Sequence, residues 1–268
     1  MIPSILATRD GRKGPAFGVW VKLSTIESTE IMAAAGFDFC VIDMEHTLFD
    51  TQTVYQHIVV GSGLGLQMLV RIPDSAGPLI QRVLDAGAFG VVAPHVDTAN
   101  DALRIAQSCT FPPVGTRGSG GTSRAGQWGL RQRDQYLNDT RLCIPQIESS
   151  QGAQNIEDIL RTPGVGSIML GPADLGLDRT RDPEGPSTAE MLELVRQAAR
   201  AANIPIGTAC NLRDAASAVH IGYDFIVCGN DASLLAKTAQ GSVAKLQDLG
   251  SSFAKTQRLS DATSKGVL

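Results

Sequence analysis

The sequence has no Cys-x-x-Cys pair, no surplus of basic charge, few lysines and no uninterrupted apolar run that approaches a membrane span. Each absence removes a class of protein. The five cysteines, at positions 40, 109, 143, 210 and 228, are odd in number and widely spaced. Neither a structural zinc site nor a disulfide framework is indicated, and reduced thiols in a cytoplasmic protein fit better. No membrane helix is expected, and Met1–Lys13 lacks the apolar segment of a secretory signal. A net charge of −4 offers no basic face to nucleic acid or to an anionic membrane. What is present, 43% hydrophobic and 19% charged residues over 268 positions, suits one globular α/β barrel.

Strand and helix patterns alternate along the chain. Apolar, β-branched runs predict strands at 17–22, 37–43, 66–71, 89–93, 142–148, 167–170, 204–208 and 224–228. A capped start at Ser24-Thr25 with Glu27 opens a helix that runs to Gly36. Further helices are predicted at 51–60, 78–86, 99–108, 153–160, 188–202, 213–219 and 231–249. Eight strand–helix repeats imply parallel strands closed into a (β/α)8 TIM barrel. The chain is then a single domain, with the barrel at about 17–249 and a polar, loosely ordered tail at 250–268. An open doubly wound sheet would carry a glycine fingerprint after its first strand, and none is there.

Ionisable residues gather where strands end. The stretch Cys40-Val-Ile-Asp-Met-Glu-His46 turns abruptly from apolar to charged. Asp43 and Glu45 are two apart and share a face, and His46 opens the following loop. An Asp beside a His can orient the imidazole and raise its basicity, as a general base requires. Arg71 closes the third strand, Gln146 and Glu148 the fifth, and Asp174 follows the sixth. On one barrel these would share the C-terminal rim, where active sites of this fold lie. Glu148 and Asp174 are a hard oxygen pair suited to Mg²⁺ or Mn²⁺. His95 also follows a strand and reads as a rim or hydrogen-bonded histidine, whereas His57 and His220 fall within helices and read as structural. Of the six lysines (13, 22, 237, 245, 255 and 265), only Lys22 is near a strand end, which argues against imine chemistry. The loop Gly115-Thr-Arg-Gly-Ser-Gly-Gly121 lacks the Gly-Lys-Ser/Thr of a P-loop and reads as a mobile loop over the barrel mouth.

Together Ile42-Asp-Met-Glu-His46, Leu69-Val-Arg71, Val83-Leu-Asp-Ala-Gly87, Phe111-Pro-Pro-Val-Gly-Thr-Arg-Gly118, Gln146-Ile-Glu148 and Gly171-Pro-Ala-Asp-Leu175 resemble the HpcH/HpaI aldolases. These are metal-dependent class II pyruvate aldolases, and the fungal macrophomate synthase is a relative. The resemblance runs from about Phe17 to Leu249. It implies a phosphoenolpyruvate/pyruvate-type TIM barrel that cleaves 4-hydroxy-2-keto acids to pyruvate and an aldehyde. It implies Glu148 and Asp174 as ligands of Mg²⁺, Mn²⁺ or Co²⁺, with no nucleotide and no pyridoxal phosphate. His46 would be the base with Asp43 as its partner. Arg71 would steady the keto oxygen, with Gln146 and Asp85 as neighbours, and Gly171, Pro172 and Ala173 would grip the pyruvate carboxylate. The resemblance also implies a homo-hexamer with exchanged C-terminal helices, the helix from Asp231 playing that part. Lys22 and the loop from Ser119 to Trp128 depart from the family pattern and bear on the second substrate. Other readings are decarboxylation of oxaloacetate or macrophomate-synthase-like capture of the same enolate, a CoA-ester lyase, and a metal-binding barrel without activity.

Overall fold

The β-branched runs form strands and most of the segments between them form helices. The structure, a computed structural model, describes residues 8–74 and 77–264, with side chains as far as residue 251. β1 (Ala16–Val21) leads through α1 (Ile26–Ala34) to β2 (Phe39–Asp43), α2 (Thr51–Gly63), β3 (Gln67–Arg71), α3 (Gly77–Asp85), β4 (Gly90–Ala93) and α4 (Ala99–Cys109). A long connection with a 3-10 turn (Gln127–Gly129) and α5 (Arg133–Leu137) precedes β5 (Leu142–Ile147), α6 (Ser150–Gln154) and α7 (Ile156–Leu160). β6 (Ile168–Leu170), α8 (Pro172–Asp178), a 3-10 turn (Arg179–Arg181) and α9 (Thr188–Ala201) follow. The chain ends with β7 (Ile206–Cys210), α10 (Ala215–Ile221), β8 (Phe225–Asn230) and α11 (Asp231–Ser264). Each strand pairs in parallel with its neighbours in sequence, and β8 returns to β1, so the sheet closes as the TIM barrel expected.

Side chains alternate across each strand and make two cores. Val19, Val21, Cys40, Ile42, Met68 and Val70 point outward and pack under the helices. Trp20, Phe39, Val41, Leu69, Val92, Ile144, Met169, Phe225 and Val227 point into the barrel. At the strand N-termini the rings of Phe39 and Phe225 meet edge to face, 6.2 Å between centroids. Each fills the room left by a glycine: a Cβ on Gly18 or Gly207 would lie within 2.2 Å of the Phe39 or Phe225 ring, respectively. Truncation of either ring to alanine should cost about 3–5 kcal/mol.

Several expectations are corrected. α2 continues through Gly61, where only a glycine lets the helix approach the Met68 side chain. The helix expected at 153–160 is two short helices that meet at Asn155. Thr25 precedes α1, but its hydroxyl goes to the Glu27 carboxylate and not to a helical N–H. The tail expected to be loosely ordered continues α11 to Ser264, while residues 1–7 and 265–268 lie outside the described residues. The segment 111–128 does not cover the barrel mouth. It joins the end of α4 to the start of β5, and a helix-to-strand connection lies at the opposite, N-terminal face. There Ala125 N–H donates to the Asp85 carbonyl, and Arg117 pairs with the Asp85 carboxylate at 2.6 Å.

Candidate active site

The inward-facing rows turn polar at the strand C-termini. Trp20, Val41, Leu69 and Ile144 are inside, so Lys22, Asp43, Arg71 and Gln146, each two residues further on, share that face. Register places Asp43 beside Arg71, and the pairing of Val21 with Ile42 carries Lys22 alongside Asp43. The result is a cation–anion–cation row. Asp43 is fully buried and takes Arg71 in a two-pronged bond, Nε to Oδ1 at 2.9 Å and Nη2 to Oδ2 at 2.8 Å. Lys22 Nζ donates to the same Oδ2. Burial alone would push the Asp43 carboxyl up, but bonds and charge from Arg71, then Lys22, hold it below the ordinary carboxylate range. Arg71 also pairs with Glu45 through Nη1 at 2.9 Å, and its guanidinium lies 4.2 Å from the Trp20 ring centre.

A second cluster lies beside this row. His95 has φ of 55°, a left-handed turn that few side chains adopt. The turn aims its backbone N–H at Glu148 Oε1, 2.8 Å away. Its ring bridges two carboxylates, with Nδ1 3.1 Å from Glu148 Oε1 and Nε2 3.2 Å from Glu45 Oε1. Glu45, His95 and Glu148 thus each offer a ligand atom within 4.8 Å of the others. Burial pushes the Glu148 carboxyl up; the His95 N–H opposes this, and the negative charges of Glu45 and Asp174 reinforce it. Gln146 Nε2 donates to Glu148 Oε2, while Gln146 Oε1 is buried without a hydrogen-bond partner among the described residues. A Cβ on Gly171 would press on both side chains, at 2.9 Å from Glu148 Cβ and 3.0 Å from Gln146 Nε2. Crowded oxygen donors, an imidazole and an unused buried oxygen fit a hard divalent cation.

The structure redistributes several roles. Asp43 does not touch the His46 ring; it accepts only the His46 backbone N–H, at 3.3 Å. Two cations already occupy its carboxylate, and the His46 ring turns outward, with Nε2 3.8 Å from Glu45 Oε2. Asp174 is exposed in the first turn of α8 and stands outside the Glu45–His95–Glu148 group, near enough to Glu148 to act on its charge. Gly171 is buried and Ala173 exposed, with Pro172 opening α8 between them. Asp85 ends α3 at the N-terminal face, bound to Arg117, so within one subunit it is not a neighbour of Arg71. His95, expected as a rim histidine, sits between two carboxylates; its place after the fourth strand was the available signal. Trp20 beneath Arg71 was missed, although it lies two residues before Lys22. Lys22 is salt-bridged as an ammonium, which does not suit an imine-forming amine. His57 is buried in α2 with its Nδ1 2.7 Å from Thr29 Oγ1, and His220 is exposed on α10.

A closed (β/α)8 barrel with carboxylates, imidazoles and an immobilised guanidinium at its C-terminal mouth defines a TIM-barrel enzyme site able to hold a divalent cation. The chain belongs to the HpcH/HpaI aldolase/citrate lyase family, whose sequence pattern matches residues 16–238. It is 33% identical to a 4-hydroxy-2-oxovalerate aldolase of Rhodococcus jostii, over 85% of this chain and 90% of that one. It is equally 33% identical to a 4-hydroxy-2-oxo-heptane-1,7-dioate aldolase of Shigella sonnei, over 89% of this chain and 92% of the relative. Among solved structures, an HpcH/HpaI family protein from Burkholderia cenocepacia superposes with a TM-score of 0.82 at 31% identity. The match covers 90% of this chain and 97% of the other.

Proposed function

We propose that this protein is a class II pyruvate aldolase, which reversibly cleaves 4-hydroxy-2-keto acids into pyruvate and an aldehyde through the pyruvate enolate. The observation that carries this reading is the crowding of Glu45, Glu148 and Asp174 beside a buried, fully braced Arg71. Glu148 and Asp174 would hold the cation, with Glu45 and His95 beside Glu148. When bound, Mg²⁺, Mn²⁺ or Co²⁺ supplies Lewis-acid charge to the keto and carboxylate oxygens of pyruvate.

The side chains then divide the work. Gly171, Pro172 and Ala173 grip the pyruvate carboxylate through their backbone, with Gln146 alongside. Arg71 is fixed by Asp43, Glu45 and the Trp20 face, so its charge is already aimed when the keto oxygen gains electron density. His46, exposed at the mouth, takes the methyl proton in the synthetic direction. Glu45, 3.8 Å from the His46 Nε2, stabilises the imidazolium that forms. Asp43 acts one step back, by holding Arg71.

We assign α11 to subunit exchange in a homo-hexamer. Leu235, Val243, Leu246 and Leu249 are each more than half exposed along this 34-residue helix, an apolar stripe without cover in one chain. Among the described residues no helix is long and apolar enough to cross a membrane, which accords with a cytoplasmic enzyme of small-molecule substrates.

The test is deuterium exchange of the pyruvate methyl group. Exchange should require added Mg²⁺, stop with chelator and return with Mn²⁺ or Co²⁺. Borohydride trapping of pyruvate onto the protein would refute the reading, and so would metal-independent exchange. Light scattering that showed a stable, active monomer would refute the assembly.

A further inference from the structure

Arg71 is the cation nearest the carboxylates; each of its three nitrogens already serves one, Nε and Nη2 Asp43 and Nη1 Glu45, and the second N–H of each terminal nitrogen stays with the keto-acid site assigned to it above. Lys22 is differently placed. An ammonium has three N–H donors, and Lys22 Nζ directs one of them to Asp43 Oδ2. The Lys22 side chain retains 26% of its exposure, on the inward face two residues above Trp20. With Glu45 on Arg71, the two cations Lys22 and Arg71 balance the two carboxylates Asp43 and Glu45, so what Lys22 offers the mouth is a partly exposed ammonium with N–H donors beyond the one given to Asp43.

The lysine is also held in place. Its backbone N–H donates to Asp231 Oδ1 at 2.8 Å and that of Leu23 to Oδ2 at 3.1 Å, while the Ser28 hydroxyl caps the same buried carboxylate. In a ring of eight strands β1 stands opposite β5, so Lys22 faces Glu148 across the mouth. A keto acid bound on the Glu148 side leaves the Lys22 side for the second substrate.

We propose that Lys22 determines specificity by receiving the carboxylate of an anionic aldehyde, so that the enzyme favours 4-hydroxy-2-keto acids with a second carboxylate on the aldehyde-derived half. The inference rests on the aldolase reading above. Lys22 makes and breaks no covalent bond. The enolate carbon forms the new bond to the aldehyde carbon, the carbonyl π pair moves onto oxygen, and that oxygen takes a proton.

The experiment compares wild type, Lys22→Met and Lys22→Arg in Mg²⁺-dependent addition of pyruvate to matched acceptors, glyoxylate against glycolaldehyde and succinic semialdehyde against butanal. The readout is the ratio of kcat/KM for the anionic over the neutral partner, which cancels any loss transmitted to both through Asp43. Lys22→Met should lower the ratio about 10- to 100-fold, the worth of one hydrogen bond to a charged group, and Lys22→Arg should retain most of it. A ratio unchanged in Lys22→Met overturns the proposal and leaves Lys22 as a prop for Asp43. Wild type that fails to exchange the pyruvate methyl with Mg²⁺ overturns the aldolase reading, and this inference with it. Wild type that exchanges while the ratio stays fixed overturns Lys22 alone.

Discussion

Glu148→Gln should stabilise the metal-free protein while it abolishes activity. Burial and the charges of Glu45 and Asp174 raise the Glu148 carboxyl above its ordinary value, so the ionised form is unfavourable in the fold. A group raised in this way supports the fold fully below its unfolded value, near 4.3, and that support is lost as pH rises through the folded value. At neutral pH, above the unfolded value, the metal-free enzyme carries a penalty that grows until pH passes the folded value, up to about 1.4 kcal/mol for each tenfold gain in the carboxylate's proton affinity on folding. Glutamine removes the charge and keeps the shape. Its oxygen can still accept the His95 N–H that now lies 2.8 Å from Oε1. Its amide can donate to Gln146 Oε1, which is buried and unpartnered among the described residues, once the Gln146 amide turns over. Thermal unfolding in chelator should therefore show Glu148→Gln more stable than wild type at pH 7, by about 2–4 °C per kcal/mol. The gain should vanish as pH falls to the ordinary carboxylate value. In saturating Mn²⁺ only wild type should gain stability. A metal-free variant less stable than wild type at neutral pH, or one still stabilised by Mn²⁺, would refute the account of Glu148 as a charge held for a cation.

Other outcomes follow from the same geometry. His46→Ala should slow methyl exchange of pyruvate by about 10²–10⁴-fold, yet spare much of oxaloacetate decarboxylation, which forms the enolate by losing carbon dioxide; equal loss of both, with metal still bound, moves the base to Glu45 or His95. Asp174→Asn should cost more Mn²⁺ affinity than His95→Gln, whose loss should be about 10- to 100-fold if it only orients Glu148 and Glu45; calorimetry that gives the reverse order would make His95 the ligand. Gly171→Ala should impair pyruvate binding, because its Cβ would push on Glu148 and Gln146; an unchanged KM for pyruvate would count against the cradle.

The barrel was legible because its strands are short β-branched runs and its helices fall between them at regular spacing. The polar mouth was legible too, since Asp43, Arg71, Gln146 and Glu148 interrupt apolar strands at their ends. Pairing was not. Which cation reaches Asp43 depends on register across β1, β2 and β3, and sequence proximity points wrongly to His46. His95 was undervalued because a left-handed backbone turn, which nothing in Pro94-His95 announces, folds its ring onto Glu148. Asp85 and the glycine-rich segment were misplaced for a simpler reason. Asp85 ends a helix and the segment follows one, each ahead of a strand, and counting elements would have put them at the far face of their own subunit.

The Phe39 and Phe225 rings, fitted against Gly18 and Gly207, stop the barrel at its base. All chemical traffic must then use one opening. In the proposed reaction the aldehyde adds to an enolate that would already be held at the strand ends, so it would arrive last and depart first. Initial-rate kinetics should accordingly be ordered: pyruvate should inhibit cleavage competitively against the keto-acid substrate, and the aldehyde noncompetitively.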